Sequence, residues 1–104
     1  MEKKENKMQE MQILEQSLQN LLLQKQAFQM ELTETQSALK EIENSGDEVF
    51  KIIGQLMIKT PKSTIKEELS SKEKILEIRI KTFEKQEKSF SEKAEGLRKQ
   101  ILGK

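Results

Sequence analysis

The sequence predicts a mainly α protein, a long antiparallel two-helix coiled coil with one β-hairpin inserted between the helices. Three observations carry this reading. Two arms of similar length place apolar residues at alternating spacings of three and four, the seam spacing of a coiled coil. Between them, Val49-Phe50-Lys51-Ile52-Ile53-Gly54-Gln55-Leu56-Met57-Ile58-Lys59 is the one stretch that does not follow a helical pattern. Finally, 36% of the residues are charged and only 34% hydrophobic, with four Phe, one Pro and no Trp or Tyr. Such a composition suits long solvated helices better than a compact globule with a thick core. A single elongated domain over residues 1–104 is expected, divided into a helix at 1–44, a hairpin element at 45–62 and a second helix at 63–104.

In the first arm the seam positions are Met11, Leu14, Leu18, Leu21, Lys25, Phe28, Leu32, Thr35, Leu39 and Ile42, eight of ten apolar. The interruptions are therefore Lys25 and Thr35. This helix is expected to end near Asn44-Ser45-Gly46, with Gly46 taking the left-handed conformation that closes many helices.

In the hairpin, two runs rich in apolar and β-branched residues flank Gly54-Gln55, which suits a two-residue II′ turn because Gly54 accepts positive φ. The register then pairs Ile53 with Leu56, Ile52 with Met57, Lys51 with Ile58, Phe50 with Lys59 and Val49 with Thr60. Alternation puts Val49, Lys51, Ile53, Leu56, Ile58 and Thr60 on one face and Phe50, Ile52, Met57 and Lys59 on the other. Both faces are mostly apolar, and an isolated two-stranded ribbon leaves two edges of unpaired backbone groups. The chain offers no further strand, so the remaining strands are expected from other copies or related chains. The alternative is a hairpin folded back on its own helices.

The second arm restarts after Thr60-Pro61-Lys62-Ser63, with Ser63 or Thr64 as N-cap and Glu67 or Glu68 in the first turn. Its seam runs through Lys66, Leu69, Glu73, Leu76, Ile80, Phe83, Glu87, Phe90, Ala94, Leu97 and Ile101, eight of eleven apolar. Antiparallel helices pair residues whose numbers have a constant sum. A sum of 108 gives every first-arm seam residue a second-arm seam partner, from Met11 with Leu97 to Ile42 with Lys66. Thr35 and Glu73 then share a layer, and Lys25 lies one layer from Glu87, within reach of an ion pair. Polar seam residues either fix register or are tolerated at partly solvated positions, and both readings stand at this point. Charge supports the pairing: residues 1–44 hold five Lys and eight Glu, whereas 62–104 hold twelve Lys plus Arg and eight Glu. Each arm would be roughly 60 Å long at about 1.5 Å per residue, with the hairpin at one end of the rod and both termini at the other.

Several function classes are set aside. The chain contains no Cys and no His, which removes disulfides, thiolate metal sites and the usual nucleophile and proton-shuttle chemistry. No glycine-rich phosphate loop occurs, and carboxylates on helices this charged are solvated faces without a cleft. No enzymatic role and no cofactor are expected. The basic residues of the second arm alternate with Glu and lack an aromatic platform, so nucleic acid is not an expected partner. No stretch reaches transmembrane length, Met1-Glu2-Lys3-Lys4 does not open a secretory signal, and the net charge is +1. A soluble intracellular protein that avoids membranes is expected.

At the free end of the rod, Met8, Met11, Leu97, Ile101 and Leu102 lie where a coiled coil frays. They either complete the seam or stay available to unrelated apolar segments, a role suited to adaptable Met side chains.

Taken together, these residues resemble the β-class prefoldin subunits, of the archaeal type and its eukaryotic relatives. The similarity is carried by Gln24-Lys25-Gln26, Glu31-Leu32, Ala38-Leu39-Lys40-Glu41, the hairpin from Val49-Phe50-Lys51 through Gly54 to Leu56-Met57-Ile58-Lys59, and the run Leu76-Glu77-Ile78-Arg79-Ile80-Lys81-Thr82-Phe83-Glu84-Lys85-Gln86-Glu87. The departures are Phe50 where Tyr is common, Pro61 just after the second strand, and a short tail ending at Lys104.

The resemblance implies a subunit of a cytoplasmic, ATP-independent chaperone. In that family two α-class and four β-class subunits form a hexamer by pooling their hairpins into a β-barrel platform. The coiled-coil tips capture unfolded polypeptides and pass them to a group II chaperonin. On this sequence, Val49, Phe50, Ile52, Ile53, Gly54, Leu56, Met57 and Ile58 would serve oligomerisation, and Met8, Met11, Leu97, Ile101 and Leu102 the unfolded substrate. The competing reading is a coiled-coil adaptor or spacer that assembles through its hairpin and binds one defined partner.

Overall fold

The structure, a computed structural model, describes residues 2–103. Helix α1 (Glu2–Asn44) is followed by strand β1 (Val49–Ile53), strand β2 (Leu56–Thr60) and helix α2 (Lys62–Ile101). The expected class is therefore what forms, two long helices with an antiparallel hairpin between them. Tertiary contacts divide the chain into two units, one made of residues up to Ala27 and from Ile80 onward, the other of Phe28–Arg79.

In the first unit Leu21 and Ile80 are buried. Met11, Leu14, Leu18, Phe83, Phe90, Ala94, Leu97 and Ile101 are half-buried at their seam positions. The charged exception, Lys25, also turns inward: its Nζ lies 3.4 Å from Glu87 Oε2 and 3.8 Å from Glu84 Oε2. A lysine can occupy a seam in this way because its aliphatic stem packs while the ammonium reaches a carboxylate at the edge. The contact crosses between the helices, one layer apart in the seam.

In the second unit Ile42 and Leu76 are buried and Thr35 is only 4% exposed, while Phe28, Leu32, Leu39, Leu69 and Glu73 are half-buried. Thr35 differs from Lys25 in how it is satisfied. Its hydroxyl donates to the Glu31 carbonyl one turn back at 2.8 Å, so the side chain carries its own acceptor into the seam and avoids the penalty of an unpaired buried hydroxyl. Arg79 lies over the Phe28 ring, 5.6 Å from its centroid. Glu31 pairs with Lys72 at 3.2 Å.

Three local expectations are corrected. Gly46 is not left-handed, since positive φ is confined among the described residues to Gly54 and Gly103. Instead Ser45 closes α1, its hydroxyl donating to the Ile42 carbonyl at 2.8 Å, and Lys62 Nζ donates to the Ser45 carbonyl at 2.9 Å. These groups satisfy helix-end carbonyls that would otherwise need the glycine motif. Helix α2 starts at Lys62, ahead of Ser63 and Thr64. The Pro61 carbonyl accepts from the Thr64 and Ile65 amides at 3.0 and 3.3 Å, so the first turn closes on Pro61 without a side-chain cap. Lys66, expected in the seam, is exposed, and Lys62, Ile65 and Leu69 turn inward; the ammonium stays solvated and pairs with Glu43. At the far end Gly103 has φ +74° and its amide bonds to the Gln100 carbonyl at 3.2 Å, the left-handed closure that Gly46 does not make.

The core is thin, so each buried layer matters. Leu76→Ala is expected to destabilise the fold by about 2–3 kcal/mol, read as a lowered midpoint of urea unfolding followed by helical circular dichroism. Leu23→Ala, at a position 65% exposed, should leave that midpoint within about 0.5 kcal/mol of the parent.

Candidate functional site

The hairpin forms in the expected register, Val49 with Thr60, Phe50 with Lys59, Lys51 with Ile58, Ile52 with Met57 and Ile53 with Leu56. Gly54 has φ +61° and Gln55 does not have positive φ, the pattern of a II′ turn, whose twist matches that of the strands. The sheet contains only these two strands, so the outer edge of each carries backbone groups with no strand beside them.

Its side chains are correspondingly open. Ile52, Leu56 and Met57 are 70%, 64% and 67% exposed, and Phe50, Ile53 and Ile58 are exposed as well. Six large apolar residues within nine positions are thus exposed, three on each face of the ribbon, and exposed apolar surface of this kind marks an interaction site. Val49, Lys51 and Thr60, which share one face near the helices, are half-buried. The face carrying Phe50, Ile52, Met57 and Lys59 is exposed along its whole length.

Polar contacts secure the place where the hairpin leaves the helices. Lys51 Nζ donates to both carboxylate oxygens of Glu68, at 3.1 and 2.9 Å. Glu48 and Lys59 pair across the strand ends at 3.6 Å. The hydrogen bond and charge of Lys66 hold the Glu43 carboxyl below its ordinary value; slight desolvation acts the other way and Lys62 adds a smaller downward pull.

The second predicted set lies near the helix ends, in the other unit. Met8 and Leu102 are 52% and 65% exposed, whereas Met11, Leu97 and Ile101 are half-buried along the seam. Leu97 also lines a groove of about 420 Å³ with Ile13, Leu14, Phe90 and Gly96. Ile13, 65% exposed, is an apolar residue outside the seam. Its only sequence signal is that it stands off the seam, beside Leu14, on an otherwise polar face.

Another concavity, of about 710 Å³, lies in the hairpin-bearing unit, lined by Phe28, Glu31, Glu68, Ile75 and Arg79 among others. Two of its carboxylates are already engaged, Glu31 by Lys72 and Glu68 by Lys51. Among the described residues no group of three or more potential ligands could hold a metal ion, and no helix is long and apolar enough to cross a membrane.

Two seam-packed helices carrying an apolar, edge-open hairpin define a helical-hairpin protein with a β insertion. Residues 3–104 match the family described as "Prefoldin subunit". The chain is 43% identical over 89 residues to the prefoldin subunit beta of Thermococcus onnurineus, covering 84% of this chain and 77% of that one. It is 44% identical over 89 residues to that of Thermococcus kodakarensis, covering 84% and 76%. The crystal structure of the prefoldin beta subunit from Thermococcus strain KS-1 superposes with a TM-score of 0.90 at 38% identity, over 97% of this chain and 90% of that one. The chain belongs to the prefoldin subunit family, in its β class. Prefoldin is a family of chaperone subunits and not of enzymes, and its members assemble into a multi-subunit complex.

Two outcomes are expected from the hairpin and its root. A Cβ at Gly54 would meet no atom within 4 Å, so Gly54→Ala acts through the backbone alone, costing about 1–2 kcal/mol at positive φ; it should speed hydrogen exchange of the hairpin amides and leave α1 and α2 unchanged. Because the Glu43 carboxyl is held low in the folded state, its contribution to stability is present above the unfolded value and is lost as pH falls through the folded one. Glu43→Gln should therefore flatten the acid-side decline of the thermal midpoint measured between neutral and acidic pH.

Proposed function

We propose that this chain is one subunit of an ATP-independent holdase, a hetero-hexamer of two α-class and four β-class prefoldin subunits working in the cytoplasm. Val49, Phe50, Ile52, Ile53, Gly54, Leu56, Met57 and Ile58 join the hairpins of neighbouring subunits into a β-barrel platform. Met8, Met11, Leu97, Ile101 and Leu102 hold unfolded polypeptides, which are then handed to a group II chaperonin. The observation that carries this reading is the hairpin: six large exposed apolar residues on a two-stranded sheet with both edges open, beside helices whose own seam is already covered.

Client capture in this reading is multivalent. Several weakly binding tips around one client raise the effective concentration of every contact after the first, so each tip can bind loosely and release without nucleotide. The partly buried placing of Met11, Leu97 and Ile101 suits such loose binding, because only part of each side chain is offered.

Mixed with an α-class prefoldin subunit, the chain should assemble and suppress aggregation of a chemically denatured protein without ATP, as followed by light scattering. Removing residues 1–10 and 98–104 should weaken suppression while the assembly still forms. Undiminished suppression after trimming would refute the tip assignment. Assembly with no activity toward any of several unrelated denatured proteins would favour an adaptor that binds one defined partner.

A further inference from the structure

Lys51 is out of place on its strand. It sits at the centre of β1 on a face otherwise made of Val49, Ile53, Leu56, Ile58 and Thr60, where an ammonium obstructs burial against any apolar surface. Its Nζ reaches both oxygens of Glu68, seventeen residues away on α2, at 2.9 and 3.1 Å. The next links between this end of α1 and α2, Glu43 with Lys66 and Ser45 with Lys62, lie at the root of the hairpin and do not touch its strands. Among the described ion pairs, Lys51 with Glu68 is thus the one that ties a strand to a helix. On that face Val49, Lys51 and Thr60, at the helix-proximal end, are half-buried while Ile53, Leu56 and Ile58 are exposed, and the opposite face is open throughout.

We propose that Lys51 and Glu68 form a strap that sets the angle of the hairpin on α2, making Lys51 a positioning residue for assembly. The strap turns the Lys51 face toward the chain's own helix and presents Phe50, Ile52 and Met57 to the hairpin of a neighbouring subunit. Strand-bearing partners fit this surface because both edges of the sheet are open to backbone hydrogen bonding. The proposal rests on the assembly reading for the identity of that neighbour. The orientation itself is a property of the single chain.

Both partners are about half exposed, so the pair biases the orientation by a few-fold in population, as exposed pairs do, and is screened by salt. The absence of Cys allows two spin labels to be placed uniquely, at Gln55 and Lys74, and distances to be measured by pulsed electron paramagnetic resonance in the chain alone, where no neighbouring hairpin holds the orientation. The parent should give a distance distribution with one dominant peak, whose share falls between about 0.05 M and about 1 M salt. Glu68→Gln should give the reduced share at either salt concentration and assemble a few-fold less readily with the α-class subunit. The reversed pair, Lys51→Glu with Glu68→Lys, should restore both readouts. A Glu68→Gln distribution identical to the parent's overturns the strap, and a reduced share with unchanged assembly overturns its positioning role. Ile52→Lys, read by assembly alone, separates the two proposals: normal assembly of that variant removes the hairpin as the assembly element while leaving the measured strap in place.

Discussion

A two-stranded sheet can hydrogen-bond only one edge of each of its strands, and the outer edges must look elsewhere for partners. In this chain that constraint coincides with an apolar surface. Phe50, Ile52, Ile53, Leu56, Met57 and Ile58 are all exposed, so the hairpin lacks both the backbone pairing and the side-chain cover that a strand normally finds within its own domain. The helices bury none of these six side chains, and they offer no strand for the open edges. Membership of a family that assembles into multi-subunit complexes is the resolution that this arrangement calls for.

The helices meet a different demand, that of holding a narrow seam together with few large residues. Among the described residues Leu21, Ile42, Leu76 and Ile80 are the buried apolar side chains, and polar residues occupy seam positions between them. Thr35 and Lys25 show two ways of allowing that. A hydroxyl bonded to its own helix removes its demand on the partner. A lysine stem packs in the seam and sends its charge to carboxylates of the facing helix. The first is satisfied within one helix, and the second links the two.

Much of this was legible because it depends on periodicity. The seam positions of α1 are buried or half-buried as their spacing implied, the Lys25 to Glu87 contact follows from counting layers, and the hairpin register follows from one glycine between two apolar runs. The helix ends were less legible, because several chemistries can satisfy the same carbonyls. Gly46 was a reasonable terminator, yet Ser45 and Lys62 do its work, and Lys62 comes from a helix seventeen residues on. Lys66 broke the seam because a solvated ammonium with Glu43 beside it competes better than a buried one. Ile13 had no periodic signal at all, since its exposure depends on which neighbours cover it and not on its own pattern.

The bond from Lys62 to the Ser45 carbonyl spans seventeen residues, whereas that from Lys25 to Glu87 spans sixty-two. In an unfolded chain the shorter loop is the less costly to close, and once it is closed each further layer requires only a small additional loss of freedom. The tight turn at Gly54 and the bonds at the root of the hairpin thus define where pairing of the helices starts, and the seam closes from there like a zipper. By the same reasoning the layers around Met11 and Leu97 are expected to join last and part first. Transient opening is then expected first in the segment farthest along the chain from the hairpin, with the strands still formed while it occurs.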